Sequence, residues 1–134
     1  MSSVTPDDLR ITALLSQLDD SALKDIAPFV TSESYLSGRT LVREGDVEYV
    51  FYVIRSGRLE VTTGSELLRS LGPGDFFGEL ALMSDEGKRT ATVTARDDVE
   101  VLAMLGTGFR RLQVEHPAAA RALRAAIDER LSTG

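Results

Sequence analysis

Glycine recurs at positions 38, 45, 57, 64, 72, 74, 78 and 87. No long helix runs through a stretch punctuated that often, because each glycine weakens a helix interior and favours a turn. Between the glycines lie short segments rich in β-branched and aromatic residues, at 40–43, 49–54, 58–62, 67–71, 90–95 and 99–105. In one of them Leu59 and Val61 alternate with Arg58, Glu60 and Thr62, the pattern of a strand with one buried face. The 49–54 segment is apolar or aromatic throughout, so it is expected to be covered on both faces. Many short strands at turn-limited spacing predict a barrel, roll or sandwich for the middle of the chain.

Helical patterns flank this middle. Thr5-Pro6-Asp7-Asp8 has a capping residue, a proline at the first helical position and carboxylates over the positive helix end. Ile11, Leu14, Leu15 and Leu18 follow at helical spacing, and a second turn is expected from Ser21 to Ile26, stopping near Pro28. From Thr107, read as a cap, a short helix carries Phe109 and Leu112. After His116-Pro117 an alanine-rich helix places Ala120, Leu123, Ile127 and Leu131 on one side. That stripe is thin, so the last helix is expected to pack only partly and to be mobile. The organisation expected is one domain over 1–134: a helical segment at 1–28, β structure at 29–106 and closing helices at 107–134.

Several function classes are disfavoured at once. The chain has no cysteine, which removes disulfides, thiolate metal sites and iron–sulfur clusters. With 15 basic and 21 acidic residues its net charge is −6, a poor surface for nucleic acid. Any small anion it binds must be held by local donors. No apolar stretch approaches the roughly 20 residues of a membrane span, and no signal peptide is evident, so no membrane insertion and a cytoplasmic location are expected. There is no nucleophile elbow, kinase loop or acid–base pair, so no enzyme is expected. The only histidine, His116, leaves a metal site without partners and reads as structural or exposed. Arg110-Arg111 reads as a solvated helix face.

One stretch carries chemistry: Phe76-Phe77-Gly78-Glu79-Leu80-Ala81-Leu82-Met83, a loop, then Arg89-Thr90-Ala91-Thr92-Val93. Gly78 permits a positive φ and lets backbone approach a ligand. The run after it has the composition of one helical turn, whose free N–H groups favour an anion. Arg89 offers a planar fork to a phosphate, and Glu79 is an acceptor suited to sugar hydroxyls. Together they make the parts of a nucleotide monophosphate cradle.

At these residues the chain resembles the cyclic-nucleotide-binding domain family. Members include the regulatory subunits of cyclic-nucleotide-dependent kinases, gated channels and the bacterial catabolite activator protein. The family's phosphate-binding cassette runs Phe-Gly-Glu-(apolar)-Ala-Leu, a variable loop, then Arg-(small)-Ala-(Thr/Ser)-Val, and each element is matched within 76–93. Arg43-Glu44-Gly45-Asp46 and the Tyr52-Val53-Ile54-Arg55-Ser56-Gly57 hairpin resemble its second signature. The resemblance implies a mainly β, α+β fold: an eight-stranded antiparallel β-roll, jelly-roll-like, flanked by N-terminal and C-terminal helices.

The resemblance also implies site roles. Arg89 pairs with the cyclic phosphate and Glu79 accepts from the ribose 2′-hydroxyl. Phe77 and Gly78 belong to the ligand-binding set, backbone N–H groups near Leu80, Ala81 and Ala91 complete the phosphate site, and Thr90 adds a hydroxyl. Val61 and Leu71 line the base pocket. The last helix acts as a lid, with Leu123, Ile127 or one of Arg121, Arg124 and Arg130 over the base. The ligand implied is cAMP or cGMP, with no cofactor. Thr90 permits cGMP, while bacterial relatives with serine or threonine there often prefer cAMP, so both are expected to bind with cAMP favoured.

Activators of this family carry a DNA-binding domain after the lid helix, and none is expected within these 134 residues. The output is then expected to pass to an attached or partner effector domain, or to a homodimer contact along the last helix. The rival reading is an interaction domain of the same fold that binds no nucleotide. Arg89, Glu79 and the small Ala91 argue against it.

Overall fold

The computed structural model describes residues 4–10, 12, 14–46, 49–78 and 91–133, with side chains described as far as residue 129. The chain divides into two compact units: a helical one from Met1–Thr31 and Met104–Gly134, and a β one from Ser32–Ala103.

Eight strands form two antiparallel four-stranded sheets. They are β1 (Val30–Tyr35), β2 (Thr40–Val42), β3 (Val50–Ser56), β4 (Leu59–Thr63), β5 (Glu66–Leu71), β6 (Phe76–Phe77), β7 (Thr92–Ala95) and β8 (Val99–Leu105). One sheet runs β1-β8-β3-β6 and the other β2-β7-β4-β5, the jelly-roll arrangement expected from the resemblance. Six strands fall on the segments anticipated from glycine spacing. The other two are β1 and β6. In β1 only Val30 is buried, and the polar run Thr31-Ser32-Glu33-Ser34 carries little strand signal. β6 is two residues long, too short to show a period.

The interior of the β unit draws on both sheets. Tyr52, Ile54, Leu59, Val61, Leu71, Phe77, Val93, Ala95 and Val101 belong to one cluster of buried side chains. Phe51 through Ile54 are all at most 4% exposed, so β3 is covered on both faces as its composition requires. In β4 Leu59 and Val61 are buried while Glu60 and Thr62 are only half-buried.

In the helical unit Thr5 and Asp8 form a reciprocal cap at the head of α1 (Pro6–Arg10). The Thr5 N–H donates to the Asp8 carboxylate (2.8 Å), and the Asp8 N–H donates to the Thr5 hydroxyl (3.3 Å). The expected continuous helix through Leu18 does not form. The buried Thr12 hydroxyl donates to the Leu9 carbonyl (2.9 Å), a local bond that competes with helix propagation. Leu14, Leu15 and Leu18 are buried around a short 3-10 turn instead. Ile11 lies outside the described residues. Asp19 then caps α2 (Asp20–Ile26) by accepting from the Ala22 N–H. Arg10 bonds to both Asp7 and Asp20, joining α1 to α2.

Two helices close the chain, α3 (Gly106–Glu115) and α4 (Pro117–Thr133). Thr107 is not the cap of α3: the helix starts at Gly106, and no side chain caps it. The α4 stripe packs more completely than its thinness suggests, with Ala120, Leu123, Ala126 and Ile127 all buried. Small alanines let α4 approach α3 and the 3-10 turn closely, so few large side chains suffice. His116, between the two helices, sits 2.6 Å from the Asp25 carboxylate of α2, and Arg111 stands 3.9 Å from its other oxygen. The histidine thus has the structural role read for it. No described helix is long and apolar enough to cross a membrane.

The β3–β4 turn depends on Gly57. Its φ is +87°, and a Cβ built there would lie 2.4 Å from the Asp98 carbonyl oxygen and 2.5 Å from Val99 Cγ1. Left-handed backbone costs a non-glycine residue roughly 1–2 kcal/mol before any clash is counted. Gly57→Ala is therefore expected to destabilise the fold by about 2 kcal/mol or more, read from urea unfolding. A loss below about 0.5 kcal/mol would contradict the close approach.

Candidate functional site

The cassette-like segment enters through the turn Gly72-Pro73-Gly74-Asp75. The Asp75 carboxylate accepts from the Gly72 N–H (2.8 Å), and the Asp75 N–H donates to the Gly72 carbonyl (3.0 Å). The same turn is fastened to β3: Gly74 N–H donates to the Ile54 carbonyl (2.8 Å), and Ile54 N–H donates to the Asp75 carbonyl (2.9 Å). These bonds deliver β6 into register with β3, Tyr52 opposite Phe77 and Val53 opposite Phe76. The Tyr52 and Phe77 rings stack, with centroids 4.6 Å apart and planes 12° apart. Gly78 follows at φ +83°, the left-handed conformation its place in the motif anticipated.

The segment leaves through β7, in the other sheet. Val93 is buried opposite Val61 of β4, and Ala91, two residues earlier, packs partly buried against the same cluster. Thr92 has a bond that the sequence did not reveal: its hydroxyl accepts the Glu44 N–H (3.0 Å). Glu44 in turn accepts from the Gly64 N–H (3.3 Å), so the 43–46 turn is held to both β7 and the β4–β5 hairpin. That turn is closed by the Asp46 N–H donating to the Arg43 carbonyl (3.1 Å).

Five of the sequence-selected residues thus belong to this region of the β unit. Phe77, Val61 and Leu71 are members of one buried cluster, Ala91 packs on its margin, and Gly78 follows Phe77 directly. Glu79, Leu80, Ala81, Arg89 and Thr90 lie outside the described residues. Leu123 and Ile127 are in the helical unit, 1% and 0% exposed, on a helix that contacts α3 and the 3-10 turn.

Sequence reasoning missed Arg69. Pairing between β4 and β5 sets Leu59 opposite Leu71 and Val61 opposite Arg69, then shifts so that Thr62 meets Leu67 and Leu68 is left over. Directly opposed residues in an antiparallel pair point to the same face. Arg69 therefore lies on the same face of the sheet as Val61 and Leu71, on the edge strand, where its side chain is exposed. It makes no ion pair among the described residues. Alternation back from Leu71 would have placed it there, but an exposed arginine between leucines reads as solvent-facing.

The arrangement is an apolar cluster of Val61, Leu71, Phe77 and Ala91, with Gly78 following the entry strand and the exposed Arg69 on the edge strand.

Residues 32–116 match the family model described as the cyclic nucleotide-binding domain. A cAMP-dependent protein kinase regulatory subunit of Colletotrichum orbiculare is 36% identical over 79% of this chain and 27% of its own. This chain spans about a quarter of the length of the curated relatives it matches. The crystal structure of the N-terminal domain of a Streptomyces coelicolor A3(2) transcriptional regulator is 32% identical, covering 93% of this chain and 90% of that one, with a TM-score of 0.74. A Geobacter metallireducens GS-15 protein aligns over 97% of both chains with a TM-score of 0.86, a likeness of fold at 23% identity.

The Asp75 bond tests how far the entry turn controls this region. Gly72 is buried, so Asp75→Ala leaves its N–H without that acceptor. The expected loss is about 1.5–3 kcal/mol of unfolding free energy. Unchanged stability would show that the turn holds itself without the carboxylate.

Proposed function

The chain belongs to the cyclic nucleotide-binding domain family, and from that premise we propose that it is a non-catalytic sensor binding a cyclic purine mononucleotide in its β unit. The observation that carries the reading is the convergence of both ends of the 76–93 segment. Entry at Phe77-Gly78 and exit at Ala91 come from different sheets and meet one apolar cluster that includes Val61 and Leu71.

In this reading Arg89 pairs with the cyclic phosphate and Glu79 accepts from the ribose hydroxyl. Backbone N–H groups near Gly78, Leu80, Ala81 and Ala91 complete the anion site, and Thr90 adds a hydroxyl. The base lies over Val61 and Leu71. Charge neutralisation is local, as a chain of net charge −6 demands.

The regulatory subunits among the relatives support a regulatory role, with α4 as the relay. Leu123 and Ile127 are fully buried within a helix packed on α3 and the 3-10 turn. For either to cover a base, α4 must exchange that packing for the ligand. A helix poised between two packings is what transmits a binding event. The receiver is an attached domain, a partner protein or a second copy of the chain.

Arg69 bears on which base is held. A guanidinium fork matches the O6 and N7 acceptors of guanine, whereas adenine offers N7 beside an amino donor. With Thr90 able to accept from the guanine 2-amino group, this supports stronger cGMP binding than the cassette alone implies. Both nucleotides bind, and Arg69 shifts the balance toward cGMP.

Calorimetry with cAMP and cGMP tests the reading. Arg89→Ala is expected to keep the fold and lower affinity by roughly two to four decades, since unpairing a buried charge costs about 3–5 kcal/mol. A loss under about fivefold would remove Arg89 from the phosphate site. No binding of either nucleotide by the unaltered chain would favour an interaction domain of the same fold.

For the base, Arg69→Ala is expected to weaken cGMP by about tenfold or more and cAMP by less than about threefold. Thr90→Ala should act in the same direction more mildly. Equal losses for the two nucleotides would place both residues on the phosphate or sugar side instead.

A further inference from the structure

The helical unit contains a cavity of about 200 Å³ between α3 and α4, lined by Phe109, Gln113, Pro117, Ala120, Arg121 and Arg124. Phe109 and Ala120 are 3% and 4% exposed and supply an apolar floor. Arg121 and Arg124 stand three residues apart on α4, so their side chains are neighbours along the helix. Neither makes an ion pair or hydrogen bond among the described residues, although the chain as a whole is acidic. Positions 106–133 hold five arginines and three carboxylates, +2, while positions 1–31 of the same unit hold two basic and five acidic residues, −3. Arg121 and Arg124 are the two cations that line this cavity, without a carboxylate partner among the described residues.

Its size selects the occupant. Small-molecule sites typically enclose roughly 300–1,000 Å³, so this cavity suits a single side chain better than a whole ligand. We propose that the α3–α4 cavity docks an acidic peptide segment of a partner protein, with one apolar side chain on Phe109 and Ala120 and flanking carboxylates on Arg121 and Arg124. The Gln113 amide lies beside the anchor, where it can donate to or accept from the bound main chain. This rests on the reading above that α4 passes its state to a partner. A ligand-driven shift of α4 against α3 would reshape the cavity, because the cavity's walls belong to both helices.

The test uses the full chain and a fluorescein-labelled peptide, Asp-Glu-Asp-Phe-Glu-Asp-Glu, followed by fluorescence polarisation and amide NMR at about 50 mM salt. Binding tighter than about 1 mM is expected, with shifts at Phe109 and Gln113 amides. R121E/R124E should weaken it about tenfold or more, and replacing the peptide's phenylalanine by glycine should weaken it about threefold or more. R121Q/R124Q, a neutral change at exposed positions, should give an intermediate loss and serves if the charge reversal does not fold. Absent binding, or binding that both double variants leave unchanged, overturns the proposal. So does benzoate shifting the same amides as tightly as the peptide, which would make this a small-carboxylate site. A dimer in sedimentation that R121E/R124E dissolves would name a second copy as the occupant and overturn it equally. Calorimetry with cAMP and cGMP on the same sample separates the two readings. Peptide binding without nucleotide binding strikes only the sensor reading, and the converse strikes only this one.

Discussion

A two-residue strand cannot hold its own place, and β6 is two residues long. What fixes it is the pair of backbone bonds between Ile54 and the Gly74-Asp75 turn, 2.8 and 2.9 Å, reinforced by Asp75 gripping Gly72. Ile54 is fully buried in a strand covered on both faces, so these bonds are shielded from competing water. The Phe77 ring then stacks on Tyr52, and Gly78 starts the next segment from a conformation that other residues avoid. The direction in which the chain leaves β6 is thus set by hydrogen bonds made before the segment begins. A phosphate site needs that kind of antecedent rigidity, since donors that must be ordered on binding lose affinity to entropy.

The inner face of the second sheet shows how position and specificity separate. Leu71, Leu59 and Ala95 lie in one row across β5, β4 and β7, and Arg69, Val61 and Val93 lie in the next. The first row is apolar across these three strands and contributes packing. The second ends in a guanidinium. Residues that hold the sheets together therefore stand beside a residue that packing does not require. Arg69, exposed at the rim of an apolar row, keeps its charge near solvent.

Much of this was legible in the sequence, and the illegible parts have a common cause. Leu59 and Val61 alternate cleanly, and the apolar run around Phe51 to Ile54 declared a strand with two covered faces. The 76–93 segment was specific enough to name the family and the residues worth asking about. What failed to show were features that depend on partners distant in the chain. β1 is polar along most of its length and exists because of its sheet neighbour. Thr12 ends the first helical stripe through a bond to Leu9 that helical periodicity alone does not reveal. Arg69 is inward only by virtue of its register with Val61, and the unpaired Leu68 that follows from that register turns Leu67 outward, opposite Thr62. The thin stripe of α4 looked inadequate because alanine was counted as little apolar area. Its value lies in letting helices approach closely.

The packing of α4 also limits what signal the domain can send. A ligand shifts an equilibrium only by its differential affinity for the two states, and a hundredfold difference amounts to about 2.7 kcal/mol. Leu123 and Ile127 are buried in the described arrangement, and withdrawing two such side chains from an apolar surround costs on the order of 3–6 kcal/mol. A bound base must return most of that area for α4 to move. Either the nucleotide covers both side chains in its own complex, or the helix shifts along α3 while keeping part of its stripe buried. The second course needs less driving force, and small residues favour it: Ala120 and Ala126 leave no large knobs to lift out of α3 as α4 slides. A helix with a leaner apolar stripe would detach more readily but would have no defined resting position. In the proposed relay the face of Ala120, Leu123, Ala126 and Ile127 would hold α4 in one position until a ligand covers an equal area.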